Sequence, residues 1–187
     1  MDYISTRSIN CPKISSAEAI KTGLSPDGGL YMPEHIPTLT NEELASLYDM
    51  SYPERAAKIL AKFLTDYTEE ELLADTAAAY APERFSAAPA PVTALSDLFI
   101  LELFHGPTCA FKDMALQLMP RLFSRALIKC KEEKTALILT ATSGDTGKAA
   151  LEGYRDIPGV RLQVFYPTDG VSTLQKLQMQ TQEGKNL

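Results

Sequence analysis

Two short segments bring together residue types that can do chemistry. The first is His105-Gly106-Pro107-Thr108-Cys109-Ala110-Phe111-Lys112-Asp113, a Gly-Pro turn followed by an aromatic residue and a lysine where a helix is expected to begin. Positive potential at a helix amino terminus disfavours an ammonium group and lowers its pKa toward neutrality. A neutral amine can form a Schiff base with a carbonyl compound. Spacing alone leaves two alternatives standing, a nucleophilic Lys112 and a solvated lysine in a first helical turn. The second segment is Thr142-Ser143-Gly144-Asp145-Thr146-Gly147, between an apolar run and a helical one. Its backbone N–H groups and the hydroxyls of Ser143 and Thr146 could converge on an anion such as a carboxylate. The plain alternative is a strand-to-helix turn in which Ser143 or Asp145 caps the helix.

Spelling excludes two sharper uses of the second segment. A phosphate-cradling loop needs glycine five residues before its Gly-Lys pair and Ser or Thr after it, whereas Gly147-Lys148 has Thr142 before it and Ala149 after it. Asp145-Thr146-Gly147 spells the aspartic-protease triplet, but a single copy supplies no carboxylate dyad. Of the remaining polar residues, His105 has no partner in the sequence that would define an acid or base role, so a structural hydrogen bond is favoured. Phe111 fits equally beside a planar ligand or in the core. Cys109 is expected to be a small buried hydrophobe, and Gly28-Gly29 to supply a turn with positive φ. Cys11, Cys109 and Cys130 are an odd number without CxxC spacing, which favours reduced thiols over a disulfide framework, and no metal site is expected.

The elements that must position these residues fall into two regions. In the first half, Thr40 before Asn41-Glu42-Glu43, Ser51 before Pro53-Glu54 and Thr68 before Glu69-Glu70-Glu71 are start signals for three consecutive short helices. The acidic run suits a helix's first turn and needs no metal. The third helix stops before Pro82, and Ala87-Ala88-Pro89-Ala90-Pro91 reads as a linker. A domain boundary is therefore expected between a mainly helical amino-terminal domain, 1–88, and a second region, 89–187. There, strand-like and helical runs alternate: 99–104, 114–131, 136–141, 147–154, 160–166 and 171–182. Such alternation implies an α/β domain with a parallel sheet and crossover helices, whose ligands sit in loops beyond the carboxyl ends of the strands. Both chemistry-bearing segments hold that position.

A chain of 187 residues with 45% hydrophobic and 22% charged content has a globular composition. Its net charge of -6 provides no basic stripe for nucleic acid or anionic membrane, which favours a small-molecule partner. The longest apolar runs, such as 98–101 and 136–139, are too short to span a bilayer, and the start has no signal-like pattern, so a cytoplasmic location is expected.

The lysine segment resembles that of threonine synthases, and further similarities follow in family order. Tyr3-Ile4-Ser5-Thr6-Arg7 is similar to the family's opening strand, and residues 23–33, Gly-Leu-Ser-Pro-Asp-Gly-Gly-Leu-Tyr-Met-Pro, to its early glycine-rich loop. Residues 142–147 are similar to its substrate loop, and Val171-Ser172 through Gln178-Met179 to the helix downstream. The resemblance implies the amino-terminal part of a fold-type-II pyridoxal-phosphate lyase, including the beginning of its cofactor-binding domain. The implied reaction converts O-phospho-L-homoserine and water into L-threonine and phosphate. By the same resemblance Lys112 is the Schiff-base and proton-moving lysine, Phe111 lies beside the cofactor, and Ser143, Gly144, Asp145 and Thr146 form the substrate loop. Related lyases carry Asn where Asp145 stands. Because a carboxylate there would repel a substrate carboxylate, Asp145 is expected to order the loop or contact another group. The family's glycine-rich loop for the cofactor phosphate and the partner of its pyridine nitrogen have no counterpart in these residues. The chain thus reads as truncated, with little or no activity expected from it alone. A non-catalytic fragment or interaction module is the alternative.

Overall fold

The computed structural model describes residues 1–187 except Ile9, Ala87 and Ser143. The described residues form two compact units, one of Met1–Ala78 with Arg125–Glu132 and one of Ala79–Ser124 with Glu133–Leu187.

In the first unit, β1 (Tyr3–Ser5) pairs antiparallel with β2 (Tyr31–Pro33), Ile4 opposite Met32. The glycine-rich turn between them is pinned by Asp27, which accepts from Ser5 Oγ at 2.7 Å and from Gly29 N at 2.9 Å. Gly28 has the expected positive φ of 78°. Gly29 is needed for a different reason, since a Cβ there would lie 3.1 Å from Arg7 N and closer still to the Ser5 hydroxyl. Helix α1 (Ser16–Thr22), absent from the sequence reading, starts at Ser15, whose hydroxyl accepts from Glu18 N.

The three expected helices are present as α2 (Asn41–Ser46), α3 (Tyr52–Phe63) and α4 (Glu69–Ala79). Each begins at the residue whose side chain can satisfy orphan N–H groups. Thr40 and Glu43 exchange bonds of 2.8 and 3.1 Å, and Thr68 and Glu71 bonds of 2.8 and 3.2 Å. Glu54 accepts from Ser51 N at 2.7 Å. The unit's core includes Ala17, Ala57, Leu64, Tyr67, Leu72, Ala126 and Leu127. Across it Arg125 donates to both oxygens of Asp75, from Nε at 2.7 Å and Nη2 at 2.8 Å, a bidentate pair with directional strength.

The second unit is mixed α/β, in agreement with the fold class expected. Its parallel element is the pair β5 (Ala136–Ala141) and β6 (Val160–Phe165), in register from Ala136↔Val160 to Ala141↔Phe165. Helix α7 (Asp145–Tyr154) makes the crossover between them, and α8 (Thr173–Gln180) follows β6. Ala149, Ala150, Leu151 and Tyr154 of α7 are buried with Val160 and Leu162 of β6. Beside β6, the Asn186 carbonyl accepts from Leu162 N at 2.9 Å.

Two sequence expectations are corrected. The run 99–104 does not form a strand of the parallel sheet. Leu98–Leu101 is β4, paired antiparallel with β3 (Val92–Leu95) through a turn with Ser96 at φ 54°. Residues 92–95 were hidden because the Pro-rich stretch before them looks like linker, and an apolar run of this length carries no sign of its partner's direction. The single helix expected over 114–131 is two, α5 (Asp113–Leu116) and α6 (Met119–Lys129). Pro120 explains the break: it has no N–H to offer the Leu116 carbonyl four residues back, and its ring crowds that carbonyl in a continuous helix.

Gly153 exploits the interruption. A Cβ on it would sit 2.9 Å from the Leu116 carbonyl carbon and closer to the oxygen. Its missing side chain therefore lets the last turn of α7 lie directly on the end of α5, with a glycine hydrogen facing the carbonyl that Pro120 leaves unserved. Among the described residues, no helix is long and apolar enough to cross a membrane.

Candidate functional site

The lysine segment is a folded loop. Cys109 N donates to Gly106 O at 3.0 Å and Asp113 N to Ala110 O at 3.0 Å, two successive turns that deliver Lys112 to the N-cap of α5. Cys109 takes φ 58° between them and is exposed, which corrects the expectation of a buried hydrophobe: at the outside of a tight turn its side chain has no core to enter. Lys112 has helical backbone angles, φ -57° and ψ -28°, and its carbonyl accepts from Leu116 N at 2.9 Å. Its side chain is half-buried and lays Nζ 4.5 Å from the centroid of the Phe111 ring, a cation–π arrangement. Phe111 is 61% exposed. Within these residues the ring stands outside the core.

Asp113 was quoted in the motif but given no role by sequence reasoning. It is fully buried, its Oδ2 accepting from Thr108 N and its Oδ1 from Thr108 Oγ, both at 2.8 Å. Burial pushes its carboxyl above the usual range, while the bonds from Thr108 pull the other way. Gly106 is required by the same packing, since a Cβ there would come within 2.5 Å of the Asp113 side chain. A glycine and an aspartate seven residues apart, with Thr between them, were the available signal; only the fold reveals that they meet.

His105 has the structural hydrogen bond that the sequence favoured. Its Nε2 lies 2.6 Å from Glu102 Oε2, and Glu102 Oε1 accepts from Thr93 Oγ at 2.7 Å, tying the base of the hairpin to the start of the lysine loop. The Thr93 and His105 bonds hold the Glu102 carboxyl below its usual range.

The second segment leads from β5 into α7. Thr142 Oγ accepts from Gly144 N at 3.2 Å, and Gly144 O accepts from Gly147 N at 3.0 Å. Ser143 lies outside the described residues. Asp145 is exposed and accepts from Gln175 Nε2 at 2.9 Å, while Ser172 caps α8 by accepting from Gln175 N. Gly144 leaves room for that Gln175 amide, which a Cβ would meet at 2.6 Å, and Gly147 leaves room for Met179 and Val164. Thr146 is half-buried in the first turn of α7. Among the described residues no hydrogen bond, ion pair or ring contact joins Lys112 to Gly144, Asp145 or Thr146. What links the two segments is the seating of α7 on α5 at Gly153.

A sequence model of the family described as Threonine synthase N terminus matches residues 2–80. The threonine synthase of Pseudomonas aeruginosa is 41% identical over 192 residues, covering 100% of this chain and 39% of that protein. That of Escherichia coli is 37% identical, covering 88% of this chain and 36% of that protein. The solved structure of pyridoxal-phosphate-bound threonine synthase from Brucella melitensis is similar with a TM-score of 0.87 at 36% identity, over 96% of this chain and 38% of that one. The yeast threonine synthase structure is similar to the same TM-score of 0.87 at 35% identity. The chain spans about two fifths of the length of these relatives. Matched over residues 2–80 by the family's amino-terminal model and over nearly all its length by threonine synthases in sequence and fold, the chain is similar to the amino-terminal part of threonine synthases.

Proposed function

We propose that this chain supplies the lysine-bearing and substrate-carboxylate-binding parts of a threonine synthase, which converts O-phospho-L-homoserine and water into L-threonine and phosphate in the cytoplasm. The observation that carries this reading is the geometry of the lysine loop: a half-buried amine held beside an exposed aromatic ring on an internally bonded turn. Those features fit pyridoxal phosphate. Lys112 would hold it through Nζ, and Phe111 offers an apolar face beside a planar ring. When bound, the cofactor acts as an electron sink for charge developing at the substrate's α and β carbons.

The remaining work falls to the chain's own residues. Lys112 takes and returns protons at those carbons as a general base and acid. The backbone of Gly144 and the Thr146 hydroxyl, at the amino end of α7, bind the substrate carboxylate together with Ser143 and so fix the α C–H bond in orientation. Asp145 orders the loop, a role supported by its bond from Gln175. In domain terms, residues 1–88 are proposed as an amino-terminal domain and 89–187 as the first part of the cofactor-binding domain; the family match over residues 2–80 supports the first of these.

A second reading, a non-catalytic module retaining part of the site, is favoured by one observation. A human relative 39% identical over 193 residues is named Threonine synthase-like 1, so likeness at this level extends to a protein named apart from the synthases. Absorbance near 400 nm after adding pyridoxal phosphate separates the two. The first reading requires a band lost in Lys112→Ala and retained in Lys131→Ala. A band that survives Lys112→Ala refutes it, and the absence of any band assigns this chain to the second.

A further inference from the structure

The lysine loop closes on a group that the proposed chemistry does not use. Asp113 is 0% exposed, and its carboxyl is held by the N–H and hydroxyl of Thr108 with a contribution from the Ala110 backbone, and by no cation among the described residues. Burying a carboxylate without a counter-ion is costly, and an apolar residue would fill the space at less expense in stability. What the carboxylate provides instead is directional. Its two oxygens take the N–H and the hydroxyl of one residue, Thr108, in the space that Gly106 leaves by lacking a Cβ. Lys112 lies inside this closed stretch, and its carbonyl is engaged by Leu116 N and Ala115 N, so its backbone is restrained on both sides.

We propose that Asp113 and Thr108 form a latch whose function is to position the Lys112 amine. The inference rests on reading Lys112 as the cofactor-bearing residue. Asp113 is a positioning residue here and does not itself touch the reacting atoms. The latch makes Thr108 and Asp113 interdependent, and it assigns the Thr108 hydroxyl, not its bulk, as the part that matters.

The test uses trace acetylation of the 187-residue chain with acetic anhydride across the neutral to alkaline range, reading each lysine by mass spectrometry. Thr108→Val keeps the shape and the N–H but loses the hydroxyl. It is expected to shift the Lys112 acetylation rate relative to exposed Lys131 by about fivefold, the effect of one lost hydrogen bond on a conformational equilibrium. Thr108→Ser restores the rate to within about twofold, and Asp113→Asn moves Lys112 in the same direction as Thr108→Val. Should Thr108→Val lose the native circular dichroism, the nearly isosteric Asp113→Asn carries the comparison. An unchanged Lys112 profile, a serine that does not rescue, or lysines that all shift in step would each overturn the latch. Acetylation needs no cofactor, so wild-type chain that fails to take up pyridoxal phosphate at Lys112 would defeat the cofactor reading while the acetylation profile still decides the latch.

Discussion

Gly153→Ala tests the contact that ties the two candidate loops together. Alanine is the better helix former by about 1 kcal/mol, so propensity alone expects a more stable protein. The structure expects the reverse. The new methyl would lie 2.9 Å from the Leu116 carbonyl carbon and closer to its oxygen, whereas ordinary contact begins near 3.4 Å. The obstacle is backbone, not the end of a flexible side chain, so α7 and α5 must separate. Overpacking of this kind costs about 1–3 kcal/mol, and a backbone obstacle belongs at the upper end. After the propensity gain, a net loss of about 2 kcal/mol remains, lowering the midpoint of the chain's thermal transition by about 4–8 °C at this length. Calorimetry of the wild-type and variant chains measures it. Because α5 follows Lys112 directly, acetylation of Lys112 should change with it. A variant as stable as the wild type or more so would refute the seating of α7 on α5.

Other perturbations have equally definite outcomes. Arg125→Ala strips the bidentate partner from the buried Asp75 carboxylate; with Arg125 itself about a quarter exposed, a loss of about 2–3 kcal/mol is expected in urea titration, while Lys13→Ala, in an exposed pair with Glu34, leaves the midpoint unmoved. The Asp113 carboxyl is raised in the folded state, so its contribution to stability is full below the ordinary carboxylate pKa of about 4 and is lost as pH rises through the raised value. The melting temperature of Asp113→Asn relative to wild type should therefore climb as pH rises from about 4 and level off above the raised value, and a difference that falls would contradict the burial argument. Asp66 has the opposite sign: burial raises its carboxyl, but bonds from Ser16 and Ala17 bring it net below the usual range. Its contribution is present above the ordinary pKa and disappears as pH falls, so Asp66→Asn should flatten the acid limb of the stability curve.

The helices with side-chain start signals were legible in the sequence, because the Thr40/Glu43, Ser51/Glu54 and Thr68/Glu71 signals are local and the bonds they announce are made within one turn. The strand β5 and the crossover into β6 were legible from apolar runs separated by a helix. The direction of pairing at Leu98–Leu101 was not, since the partner strand hides behind prolines and nothing local distinguishes a hairpin from a parallel strand. The loops with candidate chemistry stood out by composition, and the role expected of Asp145 found a partner in Gln175, thirty residues downstream. What sequence could not supply was the set of meetings that shape those loops: Asp113 with Thr108 and Gly106, and Gly153 with Leu116. Each depends on a missing Cβ or a buried carboxylate, and either is visible only once neighbouring backbone is in place.

The central claim is that Lys112 bears pyridoxal phosphate. Reduction of the chain with borohydride in the presence of pyridoxal phosphate, followed by peptide mapping, tests it most directly, because reduction fixes the cofactor to whichever amine holds it. The adduct is expected to accumulate on Lys112 well ahead of exposed lysines such as Lys131. An adduct spread evenly over the surface lysines, or concentrated on any lysine other than Lys112, would contradict it.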